Sequence, residues 1–167
     1  MKKYELTKET VTISEKTLYR IRAVRDFGSV KTGEFGGYIE KEENLSHFGN
    51  AWVSGNAWVF DNARVYDDTW VYGNARVYDN AWVFGNAWVF GNARVYDDAW
   101  VCGDAKVYGD AWVSGNAEVF NTRHFFVQGP IGSRNGFITF YRTKDNTVEV
   151  KCGCFLGSLQ EFVNQVE

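Results

Sequence analysis

Proline and methionine each occur once, histidine twice and cysteine three times in the 167 residues. So little proline, with 17 glycines in no triplet period, excludes a collagen helix or a proline-rich linker. No apolar run approaches the roughly 20 residues that a membrane-crossing helix needs. The opening Met1-Lys2-Lys3-Tyr4-Glu5-Leu6-Thr7 lacks the apolar stretch of a secretory signal. Cys102, Cys152 and Cys154 are therefore expected as reduced thiols, and the chain as cytoplasmic. Net charge is −3, and the acid is concentrated in residues 49–120, which hold four basic and nine acidic side chains. An acidic centre excludes a duplex-DNA binder, which needs a basic stripe to displace counterions. It leaves room for a small anion held by a few arginines.

Aromatic residues, by contrast, make up 17% of the chain, and all seven tryptophans fall between Trp52 and Trp112. Such a composition excludes a disordered chain. From Gly49 the sequence runs GNAWVS, GNAWVF, DNARVY, DDTWVY, GNARVY, DNAWVF, GNAWVF, GNARVY, DDAWVC, GDAKVY, GDAWVS, GNAEVF. Those are twelve hexads without an insertion. Valine fills every fifth position, and alanine every third except at Thr69.

Strand alternation explains one hexad. In Ala57-Trp58-Val59-Phe60 the alanine and valine share one face, and the two aromatics share the other. Gly or Asp followed by Asn or Asp then tolerates positive φ and turns the chain. Each hexad thus predicts a short strand and a corner around a narrow alanine–valine interior. A hairpin meander competes, but it would bury larger side chains on longer strands. The period resembles the hexapeptide-repeat left-handed β-helix family, in which three hexads close one 18-residue coil. The resemblance implies about four stacked coils over residues 49–120, capped at both ends because exposed end rungs are unpaired sheet edges.

The flanks supply the caps, residues 1–48 before the repeat and 121–167 after it. Val11–Ile13 and Leu18–Val24, joined by Ser14–Thr17, predict a hairpin. Gly33-Glu34-Phe35-Gly36-Gly37-Tyr38-Ile39 leads into the repeat, and Leu45, six residues before Ala51, points to a degenerate rung starting near residue 39. This GGYI-type lead-in is similar to the opening of certain phage and bacterial repeat proteins. Beyond the repeat, 125–127, 137–141 and 148–152 read as three strands. Ser158-Leu159-Gln160-Glu161 is a capping box, and Leu159, Phe162, Val163 and Val166 form one helical face. The expected fold is mainly β, a solenoid with a small N-terminal β cap and a C-terminal sheet-plus-helix module.

An 18-residue coil sorts the outward side chains onto three faces. Face one stacks Trp52, Trp70, Trp88 and Lys106 beside Ser54, Tyr72, Phe90 and Tyr108. Face two stacks Trp58, Arg76, Arg94 and Trp112 beside Phe60, Tyr78, Tyr96 and Ser114. Face three stacks Arg64, Trp82, Trp100 and Glu118 beside Tyr66, Phe84, Cys102 and Phe120. Large outward apolar patches mark interfaces, so Trp52, Trp70, Trp88, Tyr72, Phe90, Trp82 and Trp100 are candidates for a homo-oligomer contact. The resemblance favours trimers. Lateral packing of these rings within a monomer is the alternative. Arg76 and Arg94, with Tyr78, Tyr96, Trp58 and Trp112, are the candidate ligand site, since arginine pairs hold phosphate or carboxylate and aromatic faces stack on bases. A cation–π ladder that merely solvates the face is the competing use. Ser133 and Arg134 sit in a Gly-rich segment, Gly129–Gly136, able to form an anion nest; a plain loop is the alternative.

No catalytic set is apparent. The acyltransferases of the resembled family use a histidine base, and the related carbonic anhydrases three zinc-binding histidines. Only His47 and His124 exist here, one at each end of the repeat. Cys152-Gly153-Cys154 is too tightly spaced for a zinc knuckle and reads as packing, and Asp67, Asp68, Asp97 and Asp98 read as corner residues rather than calcium ligands. Neither cofactor nor metal is expected, and no membrane partner. The expected function is a non-catalytic, oligomeric binding protein. Its lead-in implies a phage or mobile-element accessory protein, acting in the host cytoplasm against a host defence protein or a small anionic nucleotide signal. An acyltransferase and a structural assembly protein are the two other readings.

Overall fold

The computed structural model describes residues 1–131, 133 and 135–166. Its centre is a β-solenoid of about five turns, flanked by an N-terminal antiparallel hairpin and a C-terminal antiparallel sheet with one helix.

Every hexad contributes a two-residue strand, from Trp52–Val53 to Glu118–Val119. Rungs pair in parallel at the 18-residue register on all three faces: Trp52 with Trp70, Trp58 with Arg76, and Arg64 with Trp82. The interior is a column of alanine and valine, nearly all with no exposed surface. All twelve first positions have positive φ, carried by glycine or by Asp61, Asp67, Asp79 and Asp97. At Gly91 a Cβ would also stand 3.0 Å from the Gly109 nitrogen of the next coil, so the corner is tight as well as left-handed. Along the corners, second-position amides donate coil to coil, as in Asn74 Nδ2 to Asn92 Oδ1 at 3.0 Å and Asn92 Nδ2 to Asp110 Oδ1 at 2.9 Å.

A fifth, incomplete turn precedes the four regular ones. Tyr38 and Ile39, at the end of the strand Phe35–Ile39, pair with Trp58 and Val59, and Leu45 bridges Val65. Register there is 20 residues rather than 18, because the corner around Ser46–Asn50 is longer. The expected count of four coils therefore becomes about five. Gly36 and Gly37 permit this junction. A Cβ on Gly37 would lie 2.6 Å from the Ala57 carbonyl oxygen, and one on Gly36 2.6 Å from that of Val53.

The coil-to-coil bonds have a direction, and the direction dictates the caps. Each N–H donates to a carbonyl of the following coil, as Trp70 to Ala87 and Arg76 to Ala93. The first coil is left with free carbonyls and needs donors. The last coil is left with free N–H groups and needs acceptors. Donors come from Tyr38, Glu40 and Ser46 backbone, from Asn44 Nδ2 to Asp61 and Ala63 carbonyls, and from the buried Lys3 ammonium. The hairpin Tyr4–Ile13 and Lys16–Ala23 then continues face two through Phe35–Ile39 as a seven-stranded sheet.

At the other end, Thr139 Oγ1 accepts from the Trp112 N–H at 3.1 Å; the Lys144 N–H, donating to Asn116 O, ties the module to the last coil without meeting one of its free N–H groups. The C-terminal sheet has four strands, Phe125–Ile131, Gly136–Arg142, Val148–Cys152 and Phe155–Ser158, one more than the pattern predicts. The fourth strand is Phe155–Ser158, too short to show alternation. The first is longer than expected and runs through Gly129 and Pro130. Cys154 is exposed at the turn before that fourth strand and Cys152 is half-buried, so the expected packing role fails for Cys154. The capping box forms: Glu161 N donates to Ser158 Oγ at 3.2 Å and Ser158 N to Glu161 Oε2 at 2.8 Å, opening the helix Leu159–Val166.

Tyr141 locks this module on. It lies 1% exposed with its hydroxyl 3.4 Å from Ser114 Oγ. Ser114 occupies a position that is aromatic in the three coils before it on face two, and its small side chain makes the room. Ser114→Phe is expected to displace Tyr141 and lower stability by about 1–3 kcal/mol, the usual range for overpacking. A melt compared with Ser114→Ala checks it; equal melting points would show that Tyr141 does not depend on the gap.

Candidate functional site

The stacking on each face follows from the strand spacing. Parallel strands about 4.8 Å apart place identical side chains at nearly ring-stacking distance. Tyr78 lies 5.1 Å from both Phe60 and Tyr96, with planes within 4°. Tyr72 and Phe90 stack at 4.9 Å, and Tyr66 and Phe84 at 5.1 Å.

The outward indoles divide into covered and free. Trp52 is 2% exposed, seated edge-on against Phe27 at 5.3 Å and Tyr4 at 6.5 Å. It belongs to the N-terminal cap, and the expectation that it serves an oligomer contact is corrected on that ground. Trp70, Tyr72 and Phe90 are half-buried in their columns. Trp82, Trp88 and Trp100 are 36%, 40% and 43% exposed. Trp82 and Trp100 stack on face three at 5.7 Å, with Arg64 over Trp82. Trp88, on face one, lies edge-on to Tyr72 at 6.3 Å and under the Lys106 ammonium at 5.0 Å.

Face two forms the cation–π ladder. The Arg76 guanidinium lies 4.3 Å from the Trp58 ring and that of Arg94 4.7 Å from Trp112, while Arg76 and Arg94 are register partners. The Lys151 ammonium, from the C-terminal sheet, sits 5.4 Å from the same Trp112 ring. Beside it lies a cleft of about 250 Å³ lined by Asp110, Trp112, Phe137, Thr139 and Lys151, with Gly136 and Gly153. Partial burial, and next the charge of Arg94, lower the pKa of Arg76. Burial, and next the neighbouring Tyr96, push Tyr78 up to about 12, so it stays a neutral phenol. Ser133 is exposed in a turn; Arg134 lies outside the described residues.

The two histidines are held apart. His47 stacks on Tyr4 at 4.2 Å, with Nδ1 accepting from the Lys3 N–H, at the first coil. His124 packs edge-on to Phe120 at 4.5 Å, after the last coil. Burial lowers both pKa values. The corner aspartates are engaged locally: Asp67 Oδ2 accepts from Gly85 N, Asp97 Oδ2 from Gly115 N, Asp68 Oδ1 from Asn50 and Asp98 Oδ1 from Asn80. Among the described residues no three His, Cys, Asp or Glu side chains form a metal-binding group. Lys151, Thr139 and Tyr141 escape sequence reading because they reach the repeat only through the docking of a separate, non-repeating sheet.

A stacked, capped prism with aromatic and arginine columns outside defines a β-solenoid repeat protein. Four stretches of it match the YdcK Beta solenoid repeat family, at residues 59–73, 71–85, 75–90 and 87–103, all inside the regular coils. The repeats are thus similar to that family's, and the match leaves both caps outside it. No curated protein matches the chain.

Proposed function

We propose that the protein is a non-catalytic binding scaffold that associates with copies of itself through the aromatic surface of faces one and three. The observation that carries this is the exposure of Trp82, Trp88 and Trp100 on a rigid framework. Burying such a ring is worth roughly 1.5–3 kcal/mol, and side chains already ordered in columns lose little entropy on association. The separation of His47 from His124 by the height of the solenoid supports a non-catalytic reading over an acyltransferase. The N-terminal cap, whose backbone, Asn44 and Lys3 donors meet the first coil's carbonyls, supports a closed assembly over end-to-end growth. The accessory role against a host defence effector or nucleotide signal rests on the lead-in resemblance alone.

Mass measurement by light scattering tests the reading. A closed multiple of the 19.1 kDa chain is expected, three by the resemblance. Trp88→Glu with Trp100→Glu is expected to give a folded monomer, because both rings lie outside the core. A wild-type protein that stays monomeric at high micromolar concentration would sink the proposal, as would open-ended growth.

A further inference from the structure

Face two carries a second surface, chemically unlike the other two. Arg76 and Arg94 are register partners on adjacent coils, so their backbones are about one strand spacing, roughly 4.8 Å, apart. Each lies over an indole, and among the described residues neither guanidinium donates a hydrogen bond within the chain. Arg20 meets Glu9 at 2.9 Å and Arg22 pairs with Glu5, whereas Arg25, Arg64, Arg123 and Arg142 form no ion pair among the described residues. Among the described residues neither Arg76 nor Arg94 forms an ion pair. The outward columns of face two, from Trp58 to Ser114, contain no acid, and the one carboxylate lining the cleft beside Trp112 is Asp110, opposite in charge to Lys151 there. The groups that act on the Arg76 charge are Arg94, which opposes it, and the Tyr78 phenol.

We infer that Arg76 and Arg94 form a phosphoryl-binding site, which Lys151 extends toward diphosphates. Two guanidinium forks on adjacent coils offer more donors than one planar carboxylate can accept, whereas a tetrahedral phosphoryl group presents three oxygens and close to two negative charges. Bound there, it neutralises two like charges that the fold holds together without a counter-ion. Lys151 stands beyond Trp112, toward the cleft of the C-terminal sheet, where a second phosphoryl group would reach it. The ligand's remainder is not selected by base stacking, because Trp58 and Trp112 already carry cations on their faces.

Calorimetric titration of the intact protein with pyrophosphate and with ADP tests this. Saturable binding of both is expected, with similar affinity. Arg76→Gln with Arg94→Gln should weaken it at least about tenfold. Arg76→Lys with Arg94→Lys, which keeps charge but loses the forks, should also weaken it. Arg64→Gln, on face three, should leave it unchanged. Mass and melting point of each variant are measured alongside, so that loss of fold or of self-association is told apart from loss of the site. Absence of saturable pyrophosphate binding overturns the inference. So do binding of ADP without pyrophosphate, and undiminished affinity in a folded Gln double variant.

Discussion

Val89→Asp is expected to leave no cooperatively folded solenoid at room temperature. Val89 lies in the middle of the face-one column, paired with Val71 and Val107 and with no exposed surface. Around it the prism is alanine and valine, and the one polar side chain among the regular inward positions, Thr69, returns its hydroxyl to the Tyr66 carbonyl. Nothing there can pair with a carboxylate or admit water to it. An unpaired buried acid costs several kcal/mol even after it takes up a proton, on the scale of a whole domain's stability of about 5–15 kcal/mol. Position sharpens the effect. In a stacked array each coil contacts only its neighbours, so a broken central coil uncouples the two ends. Val89→Ala removes two methyl groups from the same place and is expected to cost about 2 kcal/mol and fold. Circular dichroism and thermal melts of both variants check this. A Val89→Asp protein melting cooperatively near the wild-type temperature would mean that the interior is not dry.

That the interior is legible at all follows from repetition. Twelve hexads repeat one local instruction, so Ala57 and Val59 reveal the inside, Gly91 and Asp97 the corner, and the 18-residue coil assigns every outward residue to its face. The register pairs of Trp70 with Trp88 and Arg76 with Arg94 come directly from that arithmetic. What escapes the period is whatever depends on a partner far along the chain. Trp52 and Trp88 occupy the same position of their hexads, yet Trp52 is buried because Phe27 and Tyr4 arrive over it from the N-terminal segment. Ser114 looks like a defect in an aromatic column until Tyr141 is seen in the gap. Lys151 joins the face-two ladder from a strand whose own alternation says nothing of Trp112. Nor does the period say which donors meet the first coil's carbonyls, since Lys3 and Asn44 do so from irregular sequence.

Lys3 gives the second large effect, and it depends on pH. Its ammonium is buried at the N-terminal end of the prism, donating to the Ala51 carbonyl at 2.7 Å and lying near those of Gly49 and Phe48, 5.0 Å from the Phe27 ring. Among the described residues no carboxylate pairs with it. Burial, and next the charge of Arg25, lower its pKa from 10.5 to about 8, with Asp68 opposing. The folded state therefore releases its proton before the unfolded state does. Between pH 8 and 10.5 the unfolded chain binds more protons, and stability must rise with pH. The contribution is complete above the unfolded value and is lost as pH falls through about 8. Burial of Tyr4 and Tyr141 raises their pKa values, which makes folding less favourable once unfolded phenols ionise above about pH 10. The rise is thus visible from pH 8 to 10 and amounts to about 2 kcal/mol. Lys3→Met should remove it. The variant also leaves the Ala51 carbonyl without its donor, at a cost of about 1–3 kcal/mol, partly offset near neutrality because no charge is buried. The stability gap between wild type and Lys3→Met is accordingly expected to widen from pH 7.5 to 9.5 in urea unfolding. A gap of constant size would mean that Lys3 keeps its ordinary pKa in the fold, and that the end of the solenoid is wetter than its geometry implies.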